Sequence, residues 1–156
     1  MKKLLAVLLI AVMVMALAAC GGGNAGTVGE TLLEDFKNDN AGTAQEIAER
    51  LISNEIIEFA GTTMPVEPGL VAGFDNAEIT GFEEGVMFAP MMGTIPFVGY
   101  IFTLEEGADV EAFKSTLEEN ANLRWNICTE AEELTVDSEG NKVFFLMSPK
   151  SFEEAQ

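Results

Sequence analysis

Twenty residues without a charged side chain, Gly85 to Leu104, run between Glu84 and Glu105, and they constrain the fold of this chain more than any other part of it. Their length alone suits a membrane-spanning helix. Pro90 and Pro96, with Gly85, Gly93 and Gly99, would break such a helix repeatedly, and acidic residues at both ends supply no basic anchor. A hairpin accommodates the breakers: Val86 to Met91 and Ile95 to Leu104 read as strands, with Gly93 in the turn. In the second arm Ile95, Phe97, Gly99 and Ile101 alternate with Val98, Tyr100, Phe102 and Leu104. Both faces are apolar, so both need cover. One is expected to lie under helices; the other calls for a further layer, a partner chain, a ligand or a second copy. Met87, Met91, Met92 and Phe97 surround the tip and form the candidate contact surface, because methionine adapts to partners of varied shape. Ordinary packing at the end of the sheet is the alternative.

The rest of the pattern supplies the cover. Thr43 and Glu46 have the spacing of a capping box, and Ala44, Ile47, Ala48, Leu51 and Ile52 recur along one helical face. Asp109 caps a second helix carrying Val110, Phe113 and Leu117, which Asn120 to Asn122 ends. Ile56 to Thr63 reads as a strand. Leu123, Trp125 and Ile127 alternate with Arg124, Asn126 and Cys128 as a half-buried strand would. Asp137 to Asn141 reads as a turn feeding the apolar strand Lys142 to Met147, and Ser148 with Pro149 as the start of a short final helix. This order, α, β, β, β, α, β, β, α, predicts an α+β fold: a small, mainly antiparallel sheet with helices packed on one face.

The amino-terminal segment has a different purpose. Lys2 and Lys3 precede an apolar run from Leu4 to Met15, and Leu17-Ala18-Ala19-Cys20 places small residues before a cysteine followed by three glycines. This is the build of a secretory signal peptide, too short and too one-sided in charge for a permanent span. Its end resembles the lipobox of bacterial lipoproteins, which implies that Cys20 becomes the diacylated or triacylated first residue of the mature protein. Residues 1–19 are then signal peptide, residues 20–42 a lipidated cysteine and flexible tether with one weak helical stretch at Glu30 to Lys37, and residues 43–156 a single domain.

Charge excludes several functions. Loss of Lys2 and Lys3 leaves six basic residues against 26 acidic ones, a formal charge of −20 for the mature chain. Such a polyanion repels phosphate backbones, which excludes nucleic acid as a partner, and it gives no electrostatic hold on anionic lipid. With no histidine, Ser-His-Asp and Cys-His arrangements and imidazole-based zinc sites are absent, and no glycine-rich phosphate loop is present. No cofactor and no metal is expected. Asp137-Ser-Glu139-Gly-Asn141 and the set Asp75, Asn76, Glu78 and Glu83 are loose oxygen clusters that read first as turns rather than calcium sites. Five adjacent glutamate pairs, at 83, 105, 118, 132 and 153, point apart along a helix or strand and form no shared-proton dyad. Cys128 is expected half-buried in its strand and unreactive, with Arg124 the one basic residue close by in sequence.

From Ala44-Gln-Glu-Ile-Ala48 through Ile95-Pro-Phe-Val-Gly-Tyr100 to Asn122-Leu-Arg-Trp-Asn-Ile-Cys128 and Val143-Phe-Phe-Leu-Met147, the chain resembles small uncharacterised lipoproteins of Gram-positive gut anaerobes. The resemblance implies attachment by lipid to the outer face of the cytoplasmic membrane and transfers no activity. The expected function is therefore non-enzymatic binding of a protein, peptide or small ligand at the cell surface. A carboxylate-dependent hydrolase of cell-envelope polymers and a homodimer formed through the apolar sheet face are the rivals.

Overall fold

A computed structural model describes residues 26–152; the signal segment, the lipobox Leu17 to Ala19, Cys20 and residues 153–156 lie outside the described residues. The uncharged stretch forms a hairpin of β4 (Phe82–Pro90) and β5 (Val98–Leu104). Strand β5 is the centre of a five-stranded sheet of order β1-β4-β5-β7-β6, every neighbouring pair antiparallel. The flanking strands are β1 (Gly61–Val66), β6 (Glu133–Glu139) and β7 (Lys142–Ser148), and a small separate ladder joins β2 (Gly69–Leu70) to β3 (Glu78–Ile79). Among the described residues three helices pack on these strands: α1 (Val28–Asn38), α2 (Ala44–Ile52) and α3 (Val110–Asn120). It is an α+β protein, as the element order predicts. No helix among the described residues is long and apolar enough to cross a membrane.

The alternation read along β5 separates two cores. Phe97 and Ile101 join Val86, Phe88, Phe144 and Leu146 beneath α1 and α2. Val98, Tyr100, Phe102 and Leu104 join Val143, Phe145 and Met147 on the opposite face. There the cover is α3, through Phe113 and Leu117, and the excursion carrying β2 and β3, through Val71, Phe74 and Ile79. The third helix thus lies across the sheet from the other two, and the second face is filled from within the chain rather than by a copy of it. Burial of each large side chain of β5 contributes on the order of 1.5–3 kcal/mol relative to exposure. Gly99 makes the first core possible: the Phe88 ring lies across it, and a Cβ there would fall inside the ring's contact distance.

Two expectations about boundaries fail for one shared reason. Ile56 to Phe59 is not strand, because Asn54 Oδ1 accepts the Ile56 amide at 3.0 Å and the Asn54 carbonyl accepts the Ile57 amide at 3.0 Å. Leu123 to Cys128 is not strand either: Asn122 Oδ1 accepts the Arg124 amide at 2.9 Å, its carbonyl accepts the Trp125 amide at 3.0 Å, and Ile127 takes a positive φ of 31°. In both places an asparagine side chain satisfies the backbone locally and competes with the ladder. Cys128 is consequently exposed on a loop rather than half-buried. Strand β6 runs on through Asp137, Ser138 and Glu139, so the predicted turn shrinks to Gly140 and Asn141, with Gly140 at φ 61°. Ser148 ends β7, and Pro149 to Phe152 forms no helix.

The largest correction concerns the tether. Residues 28–38 form a full helix with a capping box in which Thr27 Oγ1 accepts the Glu30 amide at 3.2 Å and Glu30 Oε2 accepts the Thr27 amide at 3.0 Å. Val28, Leu32 and Phe36 are buried at the four-residue spacing of one helical face, and the Phe36 ring lies 5.6 Å from that of Phe144. The domain therefore begins near Thr27, not Thr43. Polar contacts fasten α1 and α2 to the sheet: Glu133 Oε1 accepts the Gly29 amide at 2.8 Å, and Glu84 Oε2 accepts the Ala44 amide at 3.0 Å. Lys142 Nζ donates to the Asn40 and Gly42 carbonyls in the loop between the helices, both at 2.7 Å.

Asp137, on edge strand β6, holds one helix from each layer. Lys37 of α1 stands 2.5 Å from its carboxylate and Lys114 of α3 stands 3.6 Å away. Partial burial alone would push the Asp137 carboxyl up; the Lys37 hydrogen bond, the Ser138 amide and the charges of both lysines outweigh it and hold the carboxyl below its ordinary range. A depressed carboxyl contributes stability that is present above the ordinary value near 3.8 and lost as pH falls through the lower folded value. Asp137→Asn should therefore be less stable than the natural chain at neutral pH, and the two unfolding curves should converge as pH falls below about 4. Circular dichroism melts across that range read the difference. For α1, Phe36→Ala should cost about 3–5 kcal/mol in chemical denaturation, whereas a side chain on a tether would cost nothing measurable.

Candidate functional site

The tip of the β4–β5 hairpin is built by breakers acting in sequence. Pro90 ends β4, the Met91 amide donates to the Ala60 carbonyl at 2.9 Å, the Thr94 amide to Met92 at 3.0 Å, and the Phe97 amide to Ile95 at 2.8 Å. Asn126 Nδ2 donates to the Gly93 carbonyl, tying the tip to the Asn122 loop. Met91 and Met92 are left 68% and 77% exposed. With Phe59, Ala60, Pro90, Thr94 and Ile95 they line an apolar groove of about 440 Å³. Its floor is aromatic: the Phe59 ring lies 5.1 Å from Phe97 and 5.4 Å from Phe152, and Phe97 lies 5.9 Å from Phe88.

The four predicted contact residues do not share a surface. Met91 and Met92 meet at the tip groove. Phe97, 1% exposed, belongs to the first core and supports the groove from beneath; the Pro96 bend turns its ring inward, which corrects its place in the contact set. Met87 is half-buried on the other sheet face, paired with Tyr100 across the ladder. It lines a second groove of about 390 Å³ with Met64, Val66 and Leu70. Strand alternation separates it from the tip, since residues 87 and 88 point to opposite layers. The Tyr100 hydroxyl in that second groove donates to the Ala72 carbonyl at 2.7 Å, and burial pushes the phenol up, so it serves packing and stays protonated. Phe59 and Ile95 are the site residues the sequence reading missed; the aromatic in an apparent strand carried no signal that it would face the tip.

The acidic clusters are occupied elsewhere. Asp75 Oδ1 accepts from Asn122 Nδ2 at 2.7 Å, the Asp75 amide donates to the Asn120 carbonyl at 2.9 Å, and Asn76 has a positive φ of 52°, the signature of a turn pinned to its neighbour. The Asp137 carboxylate is held by two lysines. Among the described residues no three histidine, cysteine, aspartate or glutamate side chains gather as metal ligands would. A third groove, of about 260 Å³, contains Asp75 as its one carboxylate, and a fourth, of about 210 Å³, contains Glu58 as its one. Glycoside hydrolysis by paired carboxylates needs two of them facing each other across roughly 5–9.5 Å. None of these four grooves brings two together.

No family model, curated protein or solved structure matches this chain. The site is therefore interpreted from its own chemistry: a preformed, uncharged, aromatic-floored groove with two flexible thioether side chains at its rim. Its lining carries no charged side chain, and Thr94 supplies its one side-chain hydroxyl. Because Met92 is exposed, Met92→Glu should change stability by less than about 0.5 kcal/mol, which thermal denaturation would register; a loss of several kcal/mol would mean that the tip is core.

Proposed function

We propose that this protein is a lipid-anchored, extracytoplasmic domain that acts by binding rather than by catalysis, with the Met91–Met92 groove as its contact surface. The observation that carries the reading is the exposure of two adjacent methionines above a packed aromatic floor; among the described residues the other exposed large apolar side chains, Met64, Leu70 and Ile127, do not line this groove. Contiguous exposed apolar surface on a soluble domain marks an interaction site more often than an accident of packing. The anchor rests on Leu17-Ala18-Ala19-Cys20 and the glycines that follow it. Export places the domain outside the cytoplasmic membrane. Two acyl chains supply the stable attachment that one chain does not.

The hydrolase reading is the weaker one, because the grooves carry single carboxylates and the adjacent glutamate pairs stand on exposed or half-exposed edges such as Glu83-Glu84 and Glu105-Glu106. Mass spectrometry of the mature amino terminus tests the anchor. The natural protein should begin at a lipid-modified Cys20, and Cys20→Ala should abolish acylation and leave the precursor unprocessed or cleaved elsewhere. An unmodified Cys20 in the natural protein would overturn the proposal.

A further inference from the structure

We infer that the Met91–Met92 tip rests against the bilayer to which Cys20 tethers the protein, so that the groove's partner is the lipid surface itself. This rests on the anchor proposed above and names the partner of the same site.

The first argument is where the chain enters the fold. Helix α1 starts at the tip end of the sheet: the Val28 amide donates to the Lys150 carbonyl at 3.0 Å, just beyond the end of β7, and Met147 of β7 pairs with Val98 at the start of β5. Gly26, the first described residue, lines a groove with Ile56 and Phe152. The Phe152 ring lies 5.4 Å from Phe59, which lines the Met91 groove. One layer of aromatic rings thus separates the tethered end from the tip.

The second argument is reach. Cys20 precedes Gly26 by six residues. Fully extended, they span at most about 20 Å. The opposite end of the hairpin, where Glu83 and Glu84 stand beside Glu105 and Glu106, is a full β4 away: nine residues, or about 30 Å. Turning the domain over to seat that end on the membrane would demand more tether than exists.

Charge points the same way. The acidic end carries four carboxylates within two short segments and would be repelled by anionic headgroups, whereas Gly85 to Leu104 contributes no charge at the tip. In the adjoining groove Glu58 and Lys150 bear opposite signs, and of the two glutamates at the start of β6, Glu133 accepts the Gly29 amide and Glu132 the Lys150 amide. Flexible, polarisable methionine side chains suit an apolar boundary with no fixed shape. The acyl chains supply the attachment and the tip supplies the orientation.

The natural methionines report the contact without any substitution. The acylated protein is reconstituted on phosphatidylcholine vesicles, recovered by flotation and treated with a bulky water-soluble oxidant, and sulfoxide formation is followed by peptide mass spectrometry. Met91 and Met92 are more exposed than Met64, which is 52% exposed and lies three residues into β1 from the tip, so in water they should oxidise at least as fast. On vesicles we expect that order to reverse, with Met91 and Met92 several-fold slower than Met64. Failure to float would overturn the anchor and this inference together. Flotation with Met91 and Met92 still faster than Met64 would overturn the inference alone and leave the groove to a protein partner. Protection that rises with protein density at constant lipid would assign the groove to a second copy and would equally overturn it.

Discussion

A strand that is apolar on both faces has to lie inside its protein, and every other element here is arranged by that requirement on β5. Val98, Tyr100, Phe102 and Leu104 face one way and Phe97 and Ile101 the other, so two separate layers must close on one sheet. Antiparallel sheets commonly leave one side to water; a strand of this composition forbids it. The neighbours β4 and β7 follow the same rule, with Phe88 and Phe144 in the first layer and Phe145 and Met147 in the second. The 127 described residues form one such three-layer unit.

Polar fastenings as well as burial hold two layers on one sheet. Edge strand β6 is where they come closest, and Asp137 there joins Lys37 and Lys114 across it. A single exposed ion pair contributes little, but a carboxylate shared by two lysines on separate helices also fixes where those helices sit. It further protects the edge: charged side chains on both flanks of β6 discourage pairing with another chain, and Pro65 does the same on edge strand β1.

The polarity of the hairpin follows from the same architecture. Glu83-Glu84 and Glu105-Glu106 close one end of the β4–β5 hairpin and its uncharged turn closes the other. Glu84 is recruited at its end to hold the amide of Ala44, while Met91 and Met92 at the opposite end are left without cover. The amino-terminal end of the described chain and the apolar tip lie on the same side, and the proposed membrane seating uses that coincidence.

Much of this was legible in residue order. The capping residues Thr43 and Asp109, the buried faces of α2 and α3, the hairpin in place of a span, and the two-sided alternation of β5 all depend on contacts between residues a few positions apart, or on side-chain direction within one strand. The membership of α1 in the core was not legible, since its capping box sits among glycine, asparagine and threonine that also suit a tether. What decides the matter is Phe36 meeting Phe144 and Lys37 meeting Asp137, partners about a hundred positions away. Asn54 and Asn122 overrode apparent strand patterns by bonding their own backbone, and Asp137 made a strand out of a segment with the composition of a turn. The inward turn of Phe97 and the outward turn of Met92 were likewise decided by tertiary structure, because five residues of equally apolar chain carry no local signal for which one finds a partner. Sequence by itself determined the β4–β5 hairpin and the helices at Ala44–Ile52 and Val110–Asn120, whose signals are local; only the packed chain determined that Val28–Asn38 joins the core and which apolar side chains were left over.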